Sequence, residues 1–208
     1  MTIIDRLASP LNRRDEVPNL ELAKKLAAKK DKDVIQELVD NLSNKSKDIQ
    51  SDCIKVLYEI GELSPSLIAP YYREFLDLLD SKNNRLQWGA MTALSSITLE
   101  NPKAIYTSLT KIIAAADKGS VITRDNAVNI LIRLCGIKQY AGKAFALLNE
   151  QLLKSPSNQL PMYAEKAVSI VNEMNKRHFV KTLSARLKEI DSDSKRKRVE
   201  KVIKKFTA

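Results

Sequence analysis

The stretch that decides the fold is AMTALSSI, residues 90–97. It places a small residue at Ala90 and aliphatic residues at Leu94 and Ile97, which is the spacing of one buried helix face. The same pattern recurs at intervals of 37 residues, as Cys53, Leu57 and Ile60, then Ala127, Leu131 and Leu134, then Ala164, Val168 and Val171. A repeat of this length with helical spacing predicts stacked helix–turn–helix units.

A second apolar series follows the first in the same register. Its members are Ile68, Ile105 and Phe179; Leu76, Ile113 and Leu187; and Leu79, Ala116, Leu153 and Ile190. Each repeat is therefore predicted to pair a first helix, called A here, with a second helix, called B. In the third of the four well-formed repeats the B helix is predicted to be displaced by one residue, because its best apolar stripe is Ala141, Phe145, Leu148 and Leu152.

The predicted fold is an all-α, right-handed α-α superhelix of about four to five helical hairpins with a C-terminal capping helix. The predicted segments are a leader 1–18, a degenerate repeat 19–44, repeats 45–81, 82–118, 119–155 and 156–191, and a basic capping helix 192–208. Pro70 is expected to kink or delay the B helix of the first full repeat. The A helix of the last repeat is expected to span about residues 157–174.

Charge is distributed unevenly along the chain. The net charge is +10, and residues 176–208 alone carry twelve Lys or Arg against four Asp or Glu. This asymmetry predicts an anionic partner near the C-terminal end. The residues predicted to bind it are Lys176, Arg177, Lys181, Arg186, Lys188, Lys195, Arg196, Lys197, Arg198 and Lys201.

Residue types that carry chemistry are scarce. His178 is the only histidine, the five glycines are scattered, and the two cysteines sit in helical positions. We expect Cys53 and Cys135 to be buried and reduced, although a disulfide or a metal-binding pair is a less favoured alternative. The sequence therefore predicts no catalytic residue, no metal, no cofactor and no small-molecule substrate. No apolar stretch is long enough to cross a bilayer, so a cytoplasmic protein is expected.

The repeat unit resembles the HEAT/armadillo superfamily of helical repeats. The resemblance rests on the paired helices, on the Ala90, Leu94 and Ile97 spacing, and on Asp or Arg near the start of the A helix. Those charged residues are Asp52, Arg85, Arg124 and Asp125. HEAT-like membership implies a curved array with A helices on the convex side and B helices on the concave side. It also implies binding of peptides, proteins or nucleic acid.

The favoured function is a non-catalytic scaffold that binds a protein or peptide through its concave face. The residues expected to contribute there are Tyr71, Arg73, Tyr106, Lys111 and Lys143. The first alternative is nucleic-acid binding through the basic C-terminal end. A DNA glycosylase similar to the HEAT-like alkylation-repair enzymes is a further alternative. That resemblance implies a basic groove, an assisting Asp and nucleotide-holding aromatics, for which Tyr71, Tyr72 and Tyr106 are the candidates.

Overall fold

The computed structural model describes residues 2–207, so Met1 and Ala208, the outer ends of the predicted leader and capping helix, lie outside the described residues. Within that range the chain forms twelve α-helices joined by turns and short 3-10 helices, and it forms no β-strand. The α-helices are α1 (Val17–Lys29), α2 (Lys32–Asp40), α3 (Lys47–Leu63), α4 (Tyr72–Leu78), α5 (Asn84–Ser96), α6 (Pro102–Thr107), α7 (Leu109–Lys118), α8 (Val121–Cys135), α9 (Ala141–Lys154), α10 (Leu160–Ala167), α11 (Lys176–Arg186) and α12 (Asp193–Thr207). The prediction of an all-α fold is confirmed.

The chain divides into two compact units. The first unit ends at Ala127 and the second begins at Val128, so the division falls inside α8. The first unit contains α1 to α7, and the second contains α9 to α12.

In the first unit, the A helices lie side by side, with α3 packed between α1 and α5. The residues that the repeat places on the buried face of α3 and α5 are Cys53, Leu57, Ile60, Ala90, Leu94 and Ile97, and all are fully buried. Small residues at the first position of each set let the two helices approach closely. The predicted core of these two A helices is therefore confirmed.

In the first unit, the B segments of the repeats 45–81 and 82–118 are each divided into shorter helical pieces. Two 3-10 turns, Pro65–Leu67 and Ala69–Tyr71, precede α4, so Pro70 delays the helix as predicted. In the next repeat the B segment starts at Pro102 and breaks at Ser108 into α6 and α7. Proline lacks the backbone N–H that a continuing helix needs, and this explains the late start of α4.

The leader belongs to the first unit and packs onto its helices through buried apolar residues and hydrogen bonds. Ile3, Leu7 and Ala8 are buried. The Asp52 carboxylate on α3 accepts hydrogen bonds from the Ser9 N–H at 2.8 Å and from Asn19 Nδ2 at 2.7 Å. The leader therefore covers apolar surface that α1 and α2 would otherwise expose to water.

In the second unit, Leu131, Leu134 and Ala164 are fully buried, but Val168 and Val171 at the equivalent positions are only half-buried. The prediction that this A helix reaches about residue 174 is wrong, because α10 ends at Ala167 and a 3-10 turn follows.

The physical reason for this early end lies in an asparagine. Asn175 Nδ2 donates to the Ile170 carbonyl at 3.1 Å, and its Oδ1 accepts from the Asn172 N–H at 2.8 Å. These bonds satisfy the backbone in a non-helical conformation. The β-branched Val168, Ile170 and Val171 also favour a helix weakly.

The B helix of the third repeat, α9, is displaced by two residues rather than one. Leu148 and Leu152 are buried as expected, but Ala144 takes the inner position, whereas Ala141 and Phe145 are half-buried. Leu153, which the strict repeat places in the core, is 47% exposed. The buried Ser155 stands in its place, in contact with a buried arginine described below.

The packing predicts that substitution by alanine destabilises the fold at Leu94 but not at the nearby Leu99. Leu94→Ala should lower the free energy of unfolding by about 2–5 kcal/mol, because it leaves a cavity among fully buried side chains. Leu99→Ala is the matched control, since Leu99 is 60% exposed and its truncation should cost little. Urea denaturation followed by circular dichroism measures both. Equal losses for the two variants would contradict the assigned repeat register.

Candidate functional site

All the net charge of this protein lies in the second unit. Residues 1–127 carry 18 Lys or Arg and 18 Asp or Glu, whereas residues 128–208 carry 17 and 7, which leaves a net charge of +10. The first unit is therefore neutral on balance. A surface for an anionic partner is favoured on the second unit.

Four of the ten predicted anion-binding residues contact neighbouring carboxylates or carbonyls. Lys176 Nζ pairs with Glu173 at 2.7 Å, and Arg198 makes two hydrogen bonds to Glu165, at 2.8 and 2.6 Å. Arg196 donates to the Ile190 carbonyl at 2.7 Å and to Asp193 at 3.0 Å. The exposed members are Arg177, Lys181, Lys188, Lys197, Arg198 and Lys201, while Lys176, Lys195 and Arg196 are half-buried.

The remaining member, Arg186, lies inside the second unit and is only 7% exposed. Its Nη1 donates to the carbonyls of Leu152 and Leu153, both at 2.6 Å, and its Nη2 donates to the Ser155 carbonyl at 2.8 Å. Its Nε pairs with Glu189 at 2.7 Å. The guanidinium thus satisfies carbonyls at the C-terminal end of α9, where helical partners are lacking and positive charge is favourable.

A groove of about 640 Å³ lies along α9 and α11 on the B-helix side of the second unit. We call it the α9–α11 groove, and its lining residues are Leu153, Met174, Arg177, His178, Lys181, Thr182 and Ala185. The side chain of Met174 is 96% exposed, and Leu153 adds a second exposed apolar group. The groove therefore combines apolar surface with two permanent positive charges.

His178 is held at this groove by an aromatic contact. Its ring meets Phe145 on α9 edge-on, with the ring centroids 6.5 Å apart and an interplanar angle of 86°. This contact orients His178 between the two helices. The sequence suggested no role for His178 or Phe145 at a binding surface, since a lone exposed histidine on a basic helix carries no pattern.

Two of the residues predicted for the concave face, Tyr71 and Lys111, have acidic neighbours. In the first unit, burial raises the pKa of Tyr71, and the nearby carboxylates of Asp40, Glu74 and Asp33 raise it further. Lys111 pairs with Asp80 at 3.0 Å and with Asp77 at 3.6 Å. The surroundings of these two residues are therefore acidic.

The other members of that set are Arg73, Tyr106 and Lys143. Arg73 Nε donates to the Tyr72 hydroxyl at 3.0 Å, and its guanidinium lies 5.6 Å from the Tyr72 ring centroid. Tyr106 is half-buried on α6, and Lys143 is exposed on α9 in the second unit. Of the aromatic residues named for the glycosylase alternative, Tyr71 has acidic neighbours and Tyr72 accepts a hydrogen bond from Arg73. That alternative stays a prediction.

A polar cluster on the A helices of the first unit escaped the sequence analysis. Lys55 on α3 is largely buried, and its Nζ pairs with Glu59 at 2.8 Å and with Glu16 at 3.0 Å. The same Nζ lies 4.9 Å from the Tyr58 ring centroid, and Trp88 packs against Tyr58 with centroids 5.6 Å apart. Glu16 thereby ties the start of α1 to α3. No local pattern predicts this contact, because Glu16 and Lys55 are far apart in the sequence.

These contacts shift the pKa values of the cluster. Burial lowers the pKa of the Lys55 ammonium, but its hydrogen bonds to Glu59, Tyr58 and Glu16 outweigh burial, so the pKa is raised overall. The hydrogen bond from Lys55 lowers the pKa of Glu16, and the charges of Lys55 and Arg85 lower it further. Lys55 and Glu16 are therefore oppositely charged near neutral pH, and their ion pair favours the folded state.

Groups for redox or metal chemistry do not converge within residues 2–207. Cys53 is buried and Cys135 half-buried, both are free thiols, and burial raises the pKa of each to about 12. No three His, Cys, Asp or Glu side chains of the described residues lie close enough to hold a metal ion. Among the same residues, no helix has the length and apolar character required to span a bilayer.

Comparison with known proteins identifies the fold. No family model and no curated protein matches the chain. A designed armadillo repeat protein in complex with the peptide (KR)4 is 16% identical, with a TM-score of 0.68 over 99% of this chain and 98% of that one. Computationally designed armadillo repeat proteins for modular peptide recognition show 16% identity and a TM-score of 0.66 over the same shares. An engineered protein that is 16% identical gives a TM-score of 0.63 over 100% of this chain and 99% of its own.

The fold is an armadillo-like helical-repeat solenoid. This confirms both the predicted solenoid and the predicted resemblance to the HEAT/armadillo superfamily. At 16% identity the similarity concerns the fold alone, so the function has to be argued from the side chains of this chain.

Arg186 should act on stability rather than on binding. Arg186→Ala should lower the free energy of unfolding by about 2–3 kcal/mol, because it leaves buried carbonyls without donors. Arg186→Lys should recover only part of the loss, since an ammonium cannot reproduce the fork of guanidinium donors. Lys188→Ala, an exposed neighbour, is the control for urea denaturation. A wild-type midpoint for Arg186→Ala would refute this structural role.

The Glu16–Lys55 pair should make a pH-dependent contribution to the free energy of unfolding. Because the folded pKa of Glu16 is lowered, its stabilisation is present above the ordinary pKa of about 4.3 and is lost as the pH falls through the folded pKa. Glu16→Gln should therefore be less stable than wild type at pH 7, and the difference in stability should shrink as the pH is lowered from about 4. Glu100→Gln, at an exposed turn after α5, is the control for urea midpoints over the same pH range. A difference for Glu16→Gln that stays constant as the pH is lowered would contradict the assignment.

Proposed function

We propose that this protein is a non-catalytic helical-repeat scaffold that binds an acidic segment of a protein partner in the α9–α11 groove. The observation that carries the proposal is the combination in one groove of exposed apolar side chains with Arg177 and Lys181. Apolar anchors supply contact area, and charges around them select the partner. The groove lies between B helices, the side that the HEAT-like resemblance makes concave.

The armadillo-like fold supports a peptide-binding role. In the similar designed protein the peptide is (KR)4, which is strongly basic. The second unit of this chain favours a peptide of the opposite charge, because this unit carries the whole net charge of +10. An acidic segment is therefore the better match, since like charges at an interface oppose association.

The apolar side chains indicate what the acidic segment should contain. Met174 is flexible and polarizable, so it adapts to apolar groups of different shape. Leu153 and Ala185 lie in the same groove. We expect the partner to place one leucine, isoleucine or phenylalanine against these residues, with Asp or Glu on either side reaching Arg177 and Lys181.

Selection from a random peptide display library against the whole chain tests this proposal. The selected peptides should be enriched in Asp and Glu around a large apolar residue. Their affinity, measured by fluorescence anisotropy, should fall at least tenfold in a variant carrying Leu153→Ser and Lys181→Gln. The matched control carries Leu99→Ser and Lys24→Gln, which removes the same groups from exposed positions in the first unit.

Two outcomes would contradict the proposal. One is enrichment of basic or neutral peptides, which would show that Arg177 and Lys181 do not select an acidic partner. The other is equal binding of the selected peptides to the groove variant and to the control variant, which would place the binding surface elsewhere.

A further inference from the structure

A second basic surface lies on the A-helix side of the second unit, on α10 and α12. We call it the α10–α12 surface, and its cations are Lys166, Arg198, Lys201 and Lys205, all exposed. The two helices pack against each other. Arg198 on α12 reaches Glu165 on α10, and Lys166 Nζ donates to Asn129 Oδ1 on α8 at 3.0 Å. Side chains from three helices therefore contribute to this surface.

Three cations of α12 lie on the side of that helix that meets Glu165 on α10. The hydrogen bond from Arg198 lowers the pKa of Glu165, and the charges of Arg198, Lys201 and Lys205 lower it further. Three cations of α12 thus act on one anion, so positive charge remains in excess after the Arg198–Glu165 pair has formed. Lys197 and Lys204 lie on a different stripe of α12, which they share with Glu200, so they are not part of the α10–α12 surface.

The α10–α12 surface lacks the apolar groups of the α9–α11 groove. None of the large exposed apolar side chains found in residues 2–207 lies on α10 or α12. The aromatic residues of these two helices are unavailable for base stacking, because Tyr163 is buried and Phe206 packs against Phe179. A membrane surface or a peptide anchor would need exposed apolar side chains, and a single-stranded nucleic acid is usually held by exposed aromatic rings.

We propose that the α10–α12 surface binds the phosphate backbone of duplex nucleic acid without reading its sequence. Phosphate binding needs exposed cations with reach and no base-edge geometry, and this is what Lys166, Lys201 and Lys205 provide. The proposal is independent of the α9–α11 groove, since the two surfaces share no residue.

The spacing of the cations suits several phosphates. Residues 198 and 205 are seven apart on α12, which is about 10 Å along the helix axis. Packed helices lie about 8–10 Å apart, so Lys166 on α10 extends the surface sideways by a similar distance. A surface of this size meets about three or four phosphates of a duplex, which carries a charge about every 1.7 Å along its axis.

Fluorescence anisotropy with labelled duplex DNA and duplex RNA of mixed sequence tests the proposal on the full chain. At about 50 mM salt at least one of the two duplexes should bind. A plot of the logarithm of its association constant against the logarithm of the salt concentration should have a slope of about −3 to −4. A variant with Lys201→Gln and Lys205→Gln should bind at least tenfold more weakly, with a slope shallower by about two. Scrambling the duplex sequence should leave the affinity within about twofold.

Two further variants separate this surface from a general charge effect. Lys24→Gln with Lys25→Gln makes the same change in net charge on an exposed part of α1 and should leave binding within about twofold. Glu165→Gln removes a carboxylate that repels phosphate, so this variant should bind the duplex at least twofold more tightly. Thermal melting by circular dichroism checks that each variant is folded.

The proposal is overturned if neither duplex binds at low salt, or if the two lysine pairs weaken binding equally. It is also overturned if a single strand or vesicles with anionic lipid bind more tightly than the duplexes, because that would identify another class of partner.

Discussion

The structure depends on apolar helix faces that no single helical hairpin can bury by itself. In the first unit, α3 packs between α1 and α5, and its inner face is closed on both sides. The approach is close enough that a Cβ atom at Gly89 on α5 would lie 2.6 Å from Ile54 Cγ1 on α3. Small residues at these positions are therefore a condition of the packing. The leader adds its own buried residues to the same core.

Arg186 shows how one polar group can change the packing of a repeat. The equivalent inner positions of the first unit hold Phe75 and Ile112, which are fully buried and apolar. A guanidinium at this position needs acceptors, because an unpaired buried charge is costly. It finds them in the carbonyls at the end of α9. The two-residue displacement of α9 places the buried Ser155 beside Arg186 and turns Leu153 outward, so the same adjustment provides an apolar part of the α9–α11 groove.

The basic residues of α11 and α12 thus serve different physical purposes. Some cap carbonyls or pair with carboxylates, while others lie at the α9–α11 groove or on the α10–α12 surface. The groove offers apolar contact area together with charge, which suits a peptide whose anchor has to be desolvated. The α10–α12 surface offers charge alone, which suits a hydrated phosphate backbone. One chain with a neutral first unit can therefore present two chemically distinct surfaces on its second unit.

The sequence by itself determined the repeat length, the all-α fold and the buried faces of most A helices. These follow from the spacing of Leu57, Leu94 and Leu131, because helical periodicity is a local property of the chain. It also determined where positive charge accumulates. Only the tertiary structure decided that Arg186 is internal, that Leu153 is exposed and that Lys55 is paired with Glu16. Each of these depends on contacts between residues about 30 or more positions apart, and no local pattern encodes which distant carbonyl or carboxylate a long side chain will meet.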